Sequence, residues 1–158
     1  MIMTRSALES IAESFRTAIE MARDNGEFTP KPFRQERMNQ FPTDCCDDTA
    51  DLFTHYLFQV YGVDSIRVDA TYYDDNVGFT CGHSWQIVEG WVVDLTGDQF
   101  ENDTAIKIKG KKVYVDLMGS FHRQFKIVRS EPSCGIDCLG DGCRDRMYRL
   151  YNSIIKYM

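Results

Sequence analysis

The stretch HSWQIVEGWVVD, residues 83–94, decides which fold this chain can adopt. Its aromatic and apolar residues form two short runs, 83–88 and 91–95, which are typical of neighbouring strands. Glu89-Gly90 between the runs has the length of a two-residue turn, where glycine tolerates the positive φ that such tight turns require. The stretch therefore predicts an antiparallel β-hairpin.

The length of the turn determines which side chains of the hairpin share a face. Val88 pairs with Trp91, and because side chains alternate along a strand, His83 and Asp94 lie on one face as diagonal neighbours. Diagonal neighbours are roughly 7–8 Å apart at the backbone, a gap that an imidazole and a carboxylate can close with a hydrogen bond. The hairpin therefore predicts a contact between His83 and Asp94.

Helical patterns flank the strands. Apolar residues at spacings of three and four predict three helices, over residues 4–24, 45–61 and 143–157. Further strand-like segments are residues 66–72, 105–109, 113–117 and 125–128. Residues 73–82 are polar with two glycines and are predicted to be a loop. The order of helices followed by antiparallel strands and a last helix indicates an α+β fold, and we expect one domain over residues 1–158.

The composition limits the kinds of partner. The formal net charge of −6 argues against a nucleic acid or an anionic membrane surface, since both attract a basic protein face. No apolar run approaches membrane-spanning length, so we expect no membrane partner. The first residues lack the pattern of a signal peptide, and we therefore expect a cytoplasmic protein.

Residues 41–48, FPTDCCDD, place two cysteines at the start of the second helix. The apolar stripe of that helix extends back to Cys46 and not to Cys45, so Cys46 is predicted to project from the packed face. The unpaired N–H groups and the dipole at a helix start favour a thiolate. With His83 as base and Asp94 to orient the imidazole, Cys46 completes the three parts of an activated sulfur nucleophile.

This order of residues resembles the transglutaminase-like branch of the papain-type cysteine enzymes. The resemblance covers roughly residues 41–100, and its motifs FPxxxC, HxW and DLTxDQF are similar to those of small, mostly uncharacterised bacterial proteins of that branch. It implies a papain-like fold with an antiparallel sheet packed on the cysteine helix. It also implies Cys46 as nucleophile, His83 as base and Asp94 as the orienting carboxylate.

The activity implied by the resemblance is acyl transfer through a thioester, without a cofactor, on a protein, peptide or other amide substrate. Members of the wider group act as peptidases, amidases, deamidases or cross-linkers, and some have lost activity. The acceptor of the acyl group, water or an amine, stays open. A catalytically inactive binding module on the same fold is the main alternative.

Three further side chains are candidates for the site. Gln40 precedes Cys46 by six residues, where papain-like enzymes carry a glutamine that helps to bind the oxyanion, although an ordinary polar loop residue explains it as well. Trp85 and Gln99 are candidates for the substrate cleft, with core packing as the alternative for Trp85. His122, close to two phenylalanines, is interpreted as a structural histidine.

The C-terminal cysteines form a separate group. Cys134, Cys138 and Cys143 lie within ten residues and could hold zinc together with His122 or Cys81. Structural zinc sites usually draw closely spaced cysteine pairs from two places in the chain, and only one cluster exists here. Free thiols are therefore the favoured interpretation, ahead of a disulfide or a small zinc-binding protein.

Overall fold

The predicted hairpin lies in the middle of a β-sheet. In the computed structural model, three parts of the chain are described: residues 2–30, residue 32 and residues 35–158. The turn residues Glu89 and Gly90 both have positive φ, 52° and 85°, as a tight two-residue hairpin turn requires. Val88 pairs with Trp91, so the predicted register is confirmed.

The described residues form a five-stranded antiparallel sheet with the order β4-β3-β2-β1-β5. Its strands are β1 (Ser65–Asp74), β2 (Phe79–Val88), β3 (Trp91–Asp94), β4 (Tyr114–Asp116) and β5 (Lys126–Ser133). The loop prediction for residues 73–82 is mostly wrong, because β1 and β2 stay paired as far as Asp74 and Phe79. His83 therefore lies inside a strand and not at its start.

Three long helices cover one face of this sheet. The helices of the described residues are α1 (Arg5–Asp24), α2 (Cys46–Tyr61), the short α3 (Ser120–Arg123) and α4 (Asp141–Ile155). Buried side chains of the long helices pack against inward-facing residues of the sheet, among them Phe15, Leu52, Phe53, Leu57, Val88, Val93, Leu150 and Ile154. The α+β class and the three predicted helices are thereby confirmed. Within the described residues, no helix has the length and apolar character needed to cross a bilayer.

The chain between β3 and β5 covers the other face. A second buried cluster forms there, with Val68, Ala70, Trp85 and Val92 of the sheet against Phe100, Ile106, Phe121 and Phe125. The strand predicted at residues 105–109 is wrong, because this segment packs on the preceding turn. Gly110 lies so close to Gly97 that a Cβ on Gly110 would be 2.4 Å from the Gly97 carbonyl oxygen.

Candidate functional site

The centre of the candidate site is a buried pair formed by His83 on β2 and Asp94 at the end of β3. His83 Nε2 lies 2.7 Å from Asp94 Oδ2, and both residues are 1% exposed. Since an ionised carboxylate only accepts hydrogen bonds, the ring carries a proton on Nε2. The other carboxylate oxygen accepts from the backbone N–H of Thr96 at 2.9 Å. The predicted contact between His83 and Asp94 is confirmed.

Burial and charge act on this pair in opposite directions. Burial disfavours the imidazolium, but the charge and the hydrogen bond of Asp94, together with the nearby Cys46 thiol, outweigh it and raise the pKa of His83 from 6.5 to about 9. Burial also opposes ionisation of the carboxyl group. The charge of His83 and hydrogen bonds from His122 and His83 nevertheless hold the pKa of Asp94 well below its usual range. At neutral pH the pair is therefore an imidazolium facing a carboxylate.

The thiol of Cys46 lies at the same place. Cys46 is the first residue of α2 and is partly exposed in an open cleft of about 570 Å³ that His83 and Gln99 also line. The thiol is near enough to the imidazole that its hydrogen bonding and charge contribute to the raised pKa of His83. The start of α2 also offers unpaired backbone N–H groups and the positive end of the helix dipole. The structure thus brings together Cys46, His83 and Asp94.

The neighbouring cysteine is buried in the helical core. Cys45 is the N-cap of α2, is 0% exposed and belongs to the cluster under the long helices. Burial raises the pKa of the Cys45 thiol to about 12. Cys46 is therefore the cleft residue, as predicted, but the predicted reason is wrong. At the start of α2 the side chain that faces the core is that of Cys45. Cys46, the next residue, is turned away from the core and faces the cleft.

Two arginines balance the acidic residues next to the thiol. Asp48 accepts from Arg146 at 2.6 Å and from Arg37 at 3.1 Å. Arg37 also contacts Asp47 at 3.3 Å. Because Arg146 comes from α4, 98 residues along the chain, sequence reasoning missed this pairing. Positive charge from two other parts of the chain thereby offsets part of the negative charge beside Cys46, since Arg146 also pairs with Glu36.

Gln99 contacts the free nitrogen of the imidazole. Its Nε2 lies 2.9 Å from His83 Nδ1, and Gln99 lines the cleft as the sequence predicts. A 3-10 helix, Gly97–Phe100, carries this residue, and Arg16 of α1 holds that helix by a bidentate pair with Asp98 at 2.7 and 2.8 Å. With neutral His83 the Gln99 amide donates to Nδ1, and with the imidazolium its carbonyl oxygen accepts instead.

Two other candidates lie elsewhere. Gln40 is exposed at the end of the 3-10 helix Arg37–Gln40 and is not among the described residues that line the cleft. Trp85 is 0% exposed and packs in the second cluster, so its predicted place in the cleft is wrong. The strand directs Trp85 to the same face as His83, but that face is covered at this point by residues 100–125.

His122 is a polar residue of the site whose contact sequence reasoning missed. Its Nε2 lies 2.8 Å from Asp94 Oδ2, the same oxygen that His83 contacts. The residue is 1% exposed and belongs to α3. Its position next to Phe121 correctly indicated burial, but no pattern in the sequence pointed to a partner 28 residues away.

Within the described residues, His83, Asp94 and His122 bring their potential metal-ligand atoms within 4.8 Å of one another. The two contacts to Asp94 Oδ2 measure 2.7 and 2.8 Å, which are hydrogen-bond distances. Ligand atoms placed tetrahedrally about 2.0–2.1 Å from one zinc ion would be roughly 3.3 Å apart. The group is also fully buried, so it offers no open position to a substrate. Two hydrogen bonds explain this arrangement better than a metal does.

The C-terminal cysteines are partly oxidised. Cys134 and Cys138 form a disulfide, whereas Cys143 is a free, exposed thiol. The prediction of free thiols is therefore wrong for the first two. As a disulfide, Cys134 and Cys138 offer no thiolates to a metal, which leaves Cys143 alone of the three candidate ligands.

A larger cavity of about 640 Å³ lies between residues 27–29 and 35–37 on one side and α4 on the other. Its described lining includes Cys143 and Arg146 but neither Cys46 nor His83. The smaller cleft is the one that combines a thiol with an imidazole, so the candidate chemistry belongs there.

Comparison of the chain with protein-family models, with curated proteins and with solved structures gives no significant match.

Proposed function

We propose that this chain is a cysteine-dependent acyl-transfer enzyme with a papain-like, transglutaminase-like arrangement. Its substrate is the amide or peptide bond of a protein, a peptide or a smaller amide. The observation that supports this proposal is the His83 imidazole, which is bonded to Asp94 through Nε2 while Cys46 at the cleft acts on its pKa. An imidazole held in this way is what a thiol needs to become a nucleophile.

In the proposed reaction the Cys46 thiolate attacks the carbonyl carbon of the substrate and forms a tetrahedral intermediate. The backbone N–H of Cys46 at the start of α2 donates to the oxyanion. The C–N bond then breaks, the leaving amine takes the proton from His83 Nδ1, and a thioester remains on Cys46. Throughout this step Asp94 accepts from His83 Nε2 and keeps the ring in one orientation.

The second half of the reaction returns the enzyme to its starting state. His83 Nδ1, now unprotonated, accepts a proton from the acyl acceptor as the acceptor attacks the thioester carbon. Cys46 leaves as the thiolate, and the acyl group is released. With water as acceptor the product is an acid, and with an amine it is a new amide. The Gln99 amide lies 2.9 Å from His83 Nδ1, so this side chain has to move off that nitrogen as Cys46 and the substrate approach it.

The rate at which each cysteine reacts with iodoacetamide at neutral pH tests this proposal. Cys143 is a free and exposed thiol and serves as the internal control. We expect Cys46 to react at least about tenfold faster than Cys143, because a neighbouring imidazole favours the reactive thiolate form and Cys143 has no such partner among the described residues. Peptide mapping by mass spectrometry at several reaction times measures both rates. Equal rates would contradict an activated nucleophile and favour the inactive binding module.

A substrate survey then separates the possible acceptors. The native protein is incubated with a peptide mixture, with and without an added primary amine, and the products are analysed by mass spectrometry. Cleaved or deamidated peptides indicate water as acceptor, and amine adducts indicate a transferase. A Cys46→Ala variant is the control and should give neither product.

A further inference from the structure

The carboxylate of Asp94 is fully occupied by hydrogen bonds. Oδ2 accepts from His83 Nε2 at 2.7 Å and from His122 Nε2 at 2.8 Å. Oδ1 accepts from the backbone N–H of Thr96 at 2.9 Å and from its hydroxyl at 3.3 Å. The two histidine rings are nearly parallel, with 21° between their planes and 6.4 Å between their centres. A single carboxylate oxygen therefore serves two imidazoles.

The surroundings of His122 permit one tautomer. The ring packs against aromatic rings whose centres are 4.8–4.9 Å away, those of Tyr114, Trp85 and Phe121. Nδ1 is buried and has no hydrogen-bond partner among the described residues. A proton on Nδ1 would thus be a buried donor without an acceptor, which is unfavourable. His122 therefore holds its single proton on Nε2 and donates it to Asp94.

From this geometry we infer that His122 is a second histidine of the active site, a positioning residue that acts on the proposed nucleophile through Asp94. The inference rests on the proposed function. By donating from Nε2, His122 helps to keep Asp94 ionised and fixes the direction of Oδ2. It also occupies part of the acceptor capacity of that oxygen, which limits how tightly the carboxylate binds the His83 imidazolium.

This arrangement affects how readily His83 gives its proton to the leaving amine. His83 must hold its proton firmly enough to keep Cys46 ionised and release it readily in the next step. The charged and titratable groups that act on the His83–Asp94 pair are Cys46 from α2 and His122 from α3, with Gln99 as a polar neighbour. Of these, His122 donates to Asp94 from within the core. His122 can therefore weaken the hydrogen bond between Asp94 and His83 without contacting the substrate.

Two substitutions separate positioning from packing. His122→Gln keeps a neutral N–H donor, whereas His122→Leu fills the aromatic pocket without one. We expect the alkaline transition of the pH profile of Cys46 alkylation to move to higher pH in His122→Leu, because Asp94 then binds His83 alone. In His122→Gln, which keeps the donor, the transition should stay where it is in the unchanged protein.

His55 offers a matched control. It is 2% exposed, and like His122 it has a buried Nδ1 without a partner among the described residues. It packs edge-on against two tyrosine rings at 4.8 and 5.3 Å. It lies on α2 and has no contact with Asp94. His55→Leu should alter stability and leave the pH profile of Cys46 unchanged. Identical pH profiles for His122→Leu and the unchanged protein would overturn the inference.

A measurement on the unchanged protein covers the case in which His122→Leu does not fold. Nitrogen-15 NMR of the histidine rings reports which nitrogen carries the proton. We expect His122 to be the Nε2–H tautomer across the neutral range and the His83 Nε2–H proton to resonate at low field. A proton on His122 Nδ1 would overturn the inference. An unreactive Cys46 with the expected ring signals would instead reject the proposed function and keep the contact between His122 and Asp94.

Discussion

Two cysteine-rich regions of this molecule look alike in sequence and differ in structure. At the start of α2, Cys46 lies at a cleft beside His83. At the start of α4, Cys134 and Cys138 are bonded to each other and Cys143 is free at the surface. Both regions concentrate sulfur within a few residues. The first provides a thiol with a base, and the second forms a covalent loop.

The second region supports the same helix that carries the first. The disulfide closes a loop around the 3-10 helix Gly135–Cys138, whose Ile136 is 0% exposed in the core under the long helices. Gly135 has a φ of +70°, and a Cβ there would lie 2.5 Å from the backbone nitrogen of His55 in α2. The loop thus packs directly on the middle of the helix whose first residue is Cys46. The role of a cysteine in this molecule therefore depends on its neighbours and not on the number of cysteines nearby.

Removing His83 should have the largest effect on the difference in reactivity between the two regions. In His83→Gln the thiol of Cys46 loses its imidazole, and we expect its alkylation rate at neutral pH to fall at least about tenfold, towards that of an unpaired thiol such as Cys143. The rate of Cys143 should not change, because that thiol lies in the other region. Peptide mapping of both cysteines in one sample gives the two rates. An unchanged rate at Cys46 would mean that His83 does not activate the thiol, and it would remove the distinction between the two regions.

The part of the site that the sequence predicts is the part set by local geometry. The parity of a two-residue turn was sufficient to pair His83 with Asp94. A helix start was sufficient to locate the two adjacent cysteines, but the stripe argument that chose Cys46 over Cys45 was wrong. The sequence predicts the strand face of Trp85 correctly. Its place in the cleft was wrong because the segment that covers this face comes from far along the chain. The same reason hid the contact of His122 with Asp94, since 28 residues and a chain crossing separate the two.

The fold shows the same division between local and distant information. Hydrophobic periodicity identified the three long helices, because each buries one face in the core. The segment at residues 105–109 has a strand-like composition but is held by contacts with Gly97 and Phe100, so it never joins the sheet. Spacing alone did not distinguish free thiols from a disulfide in the C-terminal group. That choice depends on how the loop folds onto α2.

The charged pair in the first region should make stability depend on alkaline pH. The pKa of His83 is raised from 6.5 to about 9 in the folded state, so its contribution is fully present below 6.5 and is lost as pH rises through 9. The contribution is on the order of 3 kcal/mol. Asp94, whose pKa is lowered, contributes stability at all pH values above the usual pKa of an aspartate, and this contribution is lost only in acid, as pH falls through its folded value.

Urea unfolding at several pH values across this alkaline window measures the effect. His83→Gln should remove most of the decline, because glutamine does not titrate. His55→Gln is the control, since His55 is buried but has a pKa lowered by burial, and it should keep the decline of the unchanged protein. If the free energies of unfolding of the unchanged protein and His83→Gln run parallel through the window, the imidazolium–carboxylate pair is not present.

Opening the disulfide should have the smallest effect, and it tests whether the second region influences the reactivity of Cys46. Cys134 and Cys138 are four positions apart, and closing so short a loop contributes about 2 kcal/mol by restricting the unfolded chain. We expect a Cys134→Ser, Cys138→Ser double variant to lose about this much in urea unfolding, while Cys46 reacts with iodoacetamide within about twofold of its original rate. The contact of the loop with α2 is made by Ile136 and Gly135, and these residues remain. A fall in Cys46 reactivity as large as that of His83→Gln would instead mean that the disulfide positions the helix start, and the two regions would then form one functional unit.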